Sequence, residues 1–130
     1  MAGTVTLEHS TLGNVRRITF TATADAADAT FPATVLPAFQ GRLIALHTNP
    51  GATAPQDNYD ITLPDQDSID RLQSVGLNRH TTNSQQVPVV YSSTSLNPPV
   101  HQGDVLTLTI AGNNVNSAIV VGSLYYSTGY

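Results

Sequence analysis

Four histidines, a cluster of aspartates and five tyrosines are the side chains in this sequence that could carry chemistry. His9, His47, His80 and His101 stand far apart. No two have the i,i+2 or i,i+4 spacing that sets a pair of imidazoles on one metal. Asp57, Asp60, Asp65, Asp67 and Asp70 make up five of the nine acidic residues. Hard cations want several carboxylate oxygens close together, and Asp65-Gln66-Asp67 opens like a calcium loop. The pattern then fails. Ile69 occupies the next ligand position, Asp70 stands where the turn glycine belongs, and no glutamate closes the loop. An EF-hand is excluded, with an irregular calcium site left as the alternative. The expected role of these aspartates is to cap the segment that follows and to pair with Arg71. No cofactor or metal is expected.

Nucleophilic and cofactor chemistry find no foothold either. The chain has no cysteine, which removes thiol nucleophiles, disulfides and thiolate zinc sites. It has no lysine, which removes Schiff-base chemistry, and no G-x-S-x-G, H-E-x-x-H or G-x-x-x-x-G-K. The expectation is a protein that is not an enzyme. Sugar binding on an aromatic platform would use Tyr59, Tyr91, Tyr125, Tyr126 or Tyr130, since there is no tryptophan. Period-two alternation puts Tyr125 and Tyr126 on opposite faces, so no flat platform is written there. Residues 125–130 read as interface material, or as a tail tucked under its own domain.

These side chains must be positioned by strands, because strand signals dominate. Val5 and Leu7 alternate with Thr4 and Thr6; Ile18, Phe20 and Ala22 alternate with Arg17, Thr19, Thr21 and Thr23. Residues 43–48 read as a buried strand, and Tyr59, Ile61 and Leu63 as an alternating run that Pro64 stops. Pro88 confines the run at 87–91 to an edge or an irregular strand. Leu106, Leu108 and Ile110 point inward, and residues 112–116 then look like the turn of a terminal hairpin. Ala118 to Val121 is apolar on both faces, which calls for a central strand or one covered by a partner. One short helix is expected over residues 68–75, capped by Asp65, Asp67 or Ser68 and ended by Gly76. Some seven to eight short strands with turn chemistry between them predict an all-β antiparallel sandwich or jelly roll. At 130 residues this is one domain, 1–130, with an N-terminal arm over about 1–7 and a C-terminal tail over about 125–130.

Charge narrows the partners. Only 11% of residues are charged, against roughly 25% in ordinary soluble proteins, and the net charge is −4. A nucleic-acid binder would need the opposite sign. No apolar run approaches the ~20 residues of a membrane span, and no signal peptide opens the chain, so cytoplasmic synthesis is expected. Hydroxyl and amide side chains can be covered by a partner without the penalty of burying an ion.

The segment from Asn49 through Pro50, Gly51, Thr53, Pro55 and Tyr59 to Leu63 resembles small tailed-phage virion proteins. So do Asp65, Gly76-Leu77-Asn78-Arg79, and the early threonine-rich strand carrying Arg16-Arg17-Ile18. Within that group the capsid decoration, or cement, proteins are the nearest fit. The resemblance implies a β-rich domain on the outside of the head shell, binding the major capsid protein and copies of itself as a dimer or trimer. It brings no catalytic residues. The alternatives are another virion role (tail, connector or head-fibre base) or a carbohydrate- or receptor-binding module. Segments that cannot serve the core are the expected contacts: Val5 and Leu7 of the arm, Pro50, Thr53 and Pro55 of the 49–58 loop, and Tyr125, Tyr126 and Tyr130 of the tail.

Overall fold

A computed structural model describes residues 3–91 and 96–128. It is all-β and antiparallel, with no helix among the described residues. Nine strands follow in order: β1 (Thr4–Ser10), β2 (Val15–Thr23), β3 (Thr34–Val35), β4 (Gly41–Pro50), β5 (Asp60–Thr62), β6 (Gln85–Pro88), β7 (Pro99–Val100), β8 (Thr107–Ala111) and β9 (Ile119–Ser127). The large sheet runs β1-β2-β9-β4-β6, with β7 added on β4, and the small one runs β3-β8-β5. The count slightly exceeds the expected seven to eight because β3 and β7 are two-residue strands.

Alternation explains how the two sheets meet. Ile18, Phe20 and Ala22 of β2, Leu43 and Leu46 of β4, and Val120, Leu124 and Tyr126 of β9 point inward and are buried. They face Leu108 and Ile110 of β8, Ile61 of β5, and Leu36, Leu63 and Leu72 from the connections. A void of about 10 Å³, too small for a water molecule's usual share of volume, lies between the layers among Ile18, Phe20, Leu46, Leu108 and Leu124. The result is a sandwich of two antiparallel sheets. β9 is apolar on both faces because it is central, flanked by β2 and β4 along its length. β6, with its proline, sits at an edge as its sequence requires.

Three expectations are corrected. Residues 68–75 form turns, not a helix. Asp70 Oδ1 accepts from the amides of Leu63 and Leu72, and Oδ2 from that of Ser74. Ser68, Gln73 and Ser74 have positive φ, which no right-handed helix allows. The carboxylate has taken the role that helical carbonyls would have filled. Second, β8 and β9 are not a hairpin but lie in opposite sheets. Asn113 holds the crossing between them: its Oδ1 accepts from the amides of Gln56 and Val115, and its Nδ2 donates to the carbonyls of Ala29 and Val115. Third, residues 4–7 are no free arm. They belong to β1, which pairs with β2 along seven positions from Thr4 opposite Thr23 to Ser10 opposite Arg17.

Candidate functional site

The outward face of the large sheet gathers the largely uncharged side chains of five strands into rows. Residues directly opposite in antiparallel strands share a face, so the register fixes the rows. Thr4, Thr23 and Ile119 form the first, and Thr6, Thr21, Val121 and Asn49 the second. Glu8, Thr19, Ser123, His47 and Gln86 form the third. The fourth is Ser10, Arg17, Tyr125, Ala45 and Pro88. Thr19 Oγ1 and Ser123 Oγ lie 3.2 Å apart, tying the middle of the face together. Among the described residues its Asp, Glu, Lys or Arg residues are Arg42, which lies opposite Ser127, and the opposite charges Glu8 and Arg17. The latter two sit in adjacent rows on adjacent strands, diagonal neighbours in the sheet. β1 borders this face and pairs only with β2 among the described residues, so its outer main-chain edge is open.

The contact residues expected from sequence scatter over the molecule. Val5 and Leu7 point to the inner side of β1, half-buried against the core. Pro50 ends β4 and is half-buried. Thr53 is exposed, but its carbonyl accepts from the Ile119 amide and so extends the sheet. Pro55 is buried, a correction: the Thr81 hydroxyl donates to its carbonyl and draws the 49–58 loop onto the body. Tyr125 lies half-buried on the outward face, among the rows above. Tyr126 is also corrected, from contact residue to core. Its parity matches Val120 and Leu124, it is 1% exposed, and its ring packs on Phe39 at 4.3 Å. Tyr130 lies outside the described residues, so the 125–130 segment is β9 sheet through Ser127 where it is described. Tyr59, once a possible sugar platform, is fully buried, and burial pushes its phenol pKa up.

The aspartates fasten loops. Asp65 Oδ1 accepts from the amides of Asp67 and Ile69, while Oδ2 takes two bonds from Arg71, both at 2.8 Å. Arg71 also reaches Asp104 at 3.0 Å. Asp60 accepts from the Asn78 amide and Asp57 from that of Thr81. The expected Asp65–Arg71 pair is therefore present, and no group of three or more metal-ligating residues occurs among the described residues. The Asp104 carboxyl is held down to about 2, chiefly by the His101 amide and further by Arg71 and Gln66. Asp65 is lowered too, first by the Ile69 amide. Beside this network lies an open cleft of about 640 Å³ lined by Asp67, Gln73, Tyr91 and His101.

Sequence reading overlooked the apolar tip of the β1–β2 hairpin, where Leu12 is 83% and Val15 61% exposed. Its available signal was Gly13-Asn14 between two alternating runs, and Gly13 indeed takes φ +73°. The rows of threonines were half legible, as alternation within each strand, but their alignment across strands needs the pairing register. No protein-family profile matches the chain, and no curated protein or solved structure is significantly similar to it.

Proposed function

We propose that this chain is a non-enzymatic capsid decoration protein of a tailed phage, binding the outside of the assembled head shell and bridging major capsid subunits. The observation that carries the reading is the outward face of the large sheet, with its hydroxyls and only three charged residues, continuous with the open edge of β1. Such a face, poor in charge, can be desolvated against a protein lattice at little ionic cost. Five strands ~4.8 Å apart and seven residues at ~3.4 Å rise give it roughly 500 Å². A stable one-to-one complex buries about 800 Å² per partner, so a single face of this size makes a weak contact. Weak contacts suffice on a lattice, where many copies bridge many neighbours and each stabilises only the assembled state. The virion assignment itself draws on the resemblance of the 49–63 segment and the threonine-rich strand.

The test is to mix the purified chain with DNA-free phage heads and image them. A decoration protein is expected in hundreds of copies on the shell exterior. Thr21→Glu, on β2 within the face, should cut binding at least tenfold while leaving the melting temperature within a few degrees. A connector or tail component would show a dozen copies or fewer, and absence from the particle would end the reading. One observation favours a second reading, a carbohydrate-binding module: the 640 Å³ cleft places Tyr91 beside Asp67, Gln73 and His101. A glycan array separates the two, since a decoration protein should bind no sugar.

A further inference from the structure

The tip of the β1–β2 hairpin and the turn that follows β2 lie at opposite ends of the large sheet, the nine residues of β2 and so roughly 30 Å apart. At the hairpin end Arg16 and Arg17 stand near the start of β2, and Arg42 near the start of β4, opposite Ser127. They are three of the chain's five arginines, and Glu8 is the one acidic residue of the hairpin. Leu12 and Val15 are exposed there. At the far end the turn over residues 25–30 carries Asp25 and Asp28 with exposed Ala26 and Ala27 between them, and no arginine. The other two arginines are committed elsewhere: Arg71 to Asp65 and Asp104, and Arg79 to the Leu77 carbonyl.

Both ends have their shape fixed from within. The Gly13 carbonyl accepts from Arg16 Nε at 3.0 Å, and the Asn14 carbonyl from the Thr128 amide at 2.8 Å. The tip is thereby tied to β2 on one side and to the chain leaving β9 on the other. In the far turn, Asp25 Oδ1 accepts from the Ala27 and Asp28 amides, and Asp28 Oδ1 from the amide and hydroxyl of Thr30. The Thr30 hydroxyl, and then its amide, hold the Asp28 carboxyl below its ordinary value, so it stays charged. Little ordering entropy is lost when either end is covered. An apolar wedge framed by cations and a small apolar step framed by carboxylates are complementary in polarity and in sign.

We infer that copies of this chain associate end to end, the β1–β2 tip of one docking on the 25–30 turn of the next. Leu12 and Val15 then cover Ala26 and Ala27, while Arg16 and Arg17 face Asp25 and Asp28. The two patches differ, so the contact is heterologous and repeats into a ring or an open chain. It does not rest on the phage reading, because the partner is the chain itself. The experiment is sedimentation equilibrium of the full chain at two salt concentrations. At about 10 mM salt, where charges act over ~30 Å, mass should climb past a dimer with a dissociation constant on the order of 1 mM. At about 150 mM salt, where only ~8 Å remains, that growth should vanish. Leu12→Asp and Ala27→Arg, both at exposed positions, should each weaken it at least tenfold with little change in melting temperature. An equimolar mixture of the two variants should restore it, since each carries the sign that the other lacks. Should Ala27→Arg disturb the turn, Ala26→Arg serves instead. Mass that stays at monomer under low salt, or stops at a dimer paired through the open β1 edge, would overturn the inference. So would growth that either variant leaves untouched, or a mixture that associates no better than its parts.

Discussion

Asp70 accepts three main-chain amides with one carboxylate, those of Leu63, Leu72 and Ser74. Removing it orphans donors in a part-buried turn that has no carbonyl positioned to replace it. Asp70→Ala should therefore cost about 3 kcal/mol, while Asp70→Asn, which keeps an oxygen for two of the amides, should cost about 1 kcal/mol. Urea unfolding of the two variants checks the ratio, and equal costs would show that the third bond carries the turn. The pH dependence belongs to other residues. Asp104, near 2, and Asp65 ionise more readily folded than unfolded, where the ordinary value is 3.8. Their contribution is complete above about pH 5 and fades as pH falls towards 2. His9 is lowered by burial and by Arg16, so below its ordinary 6.5 the unfolded chain takes up a proton that the folded chain resists. Melting temperature should stay flat from pH 9 to 7, slip as His9 charges, and drop steeply below pH 4. A constant value down to pH 3 would contradict both assignments.

At the scale of the strand, what a sequence can and cannot announce is visible in single elements. Ile18, Phe20 and Ala22 were legible as core because alternation is a local property of the chain. Leu106, Leu108 and Ile110 were equally legible as inward, yet β8 and β9 separate into different layers. Periodicity says which face is buried, not which sheet owns the strand, and the decision rests on Asn113 contacts as distant as Ala29. Residues 68–75 failed differently: helical spacing was present, but aspartate side chains outcompeted the helix for its amides. The candidate face was partly readable for the same reasons. Thr19, Thr21 and Thr23 announce a polar side, but their alignment with Ser123 and His47 depends on long-range register. That register also explains Gly122, which lies opposite Phe20 at the centre of the sheet. A Cβ there would come within 2.3 Å of Phe20 Cζ and 2.9 Å of the His47 carbonyl oxygen. Gly122→Ala should cost about 3 kcal/mol by overpacking, and the loss should shrink when it is combined with Phe20→Leu, which removes the obstructing ring edge. Simple additivity of the two costs would mean that the backbone, not Phe20, sets the limit.

For the whole molecule the unresolved edge is β1. Seven residues of open main chain, with no proline, carry a single charge, Glu8, as their one device against edge-to-edge pairing. A second copy can meet that edge antiparallel about a two-fold axis through Leu7. Leu7 then opposes Leu7, Val5 opposes His9, Thr4 opposes Ser10, and Glu8 opposes Thr6. No like charges face each other directly, and the half-buried Val5 and Leu7 lose their remaining exposure. The pairing would join two large sheets into one continuous face, doubling the roughly 500 Å² available to a shell and bringing it past the 800 Å² of an ordinary interface. Size-exclusion chromatography with light scattering should accordingly show dimer rising with concentration. Thr6→Glu sets a carboxylate opposite Glu8 of the other copy, twice by symmetry, and should shift the midpoint at least tenfold towards monomer with little change in melting temperature. Because Thr21 lies one strand in from the edge, Thr21→Glu should leave dimerisation intact while weakening the proposed attachment to heads. A chain that remains monomeric at every concentration would leave β1 a plain edge, and the proposed shell contact would rest on the smaller, single face alone.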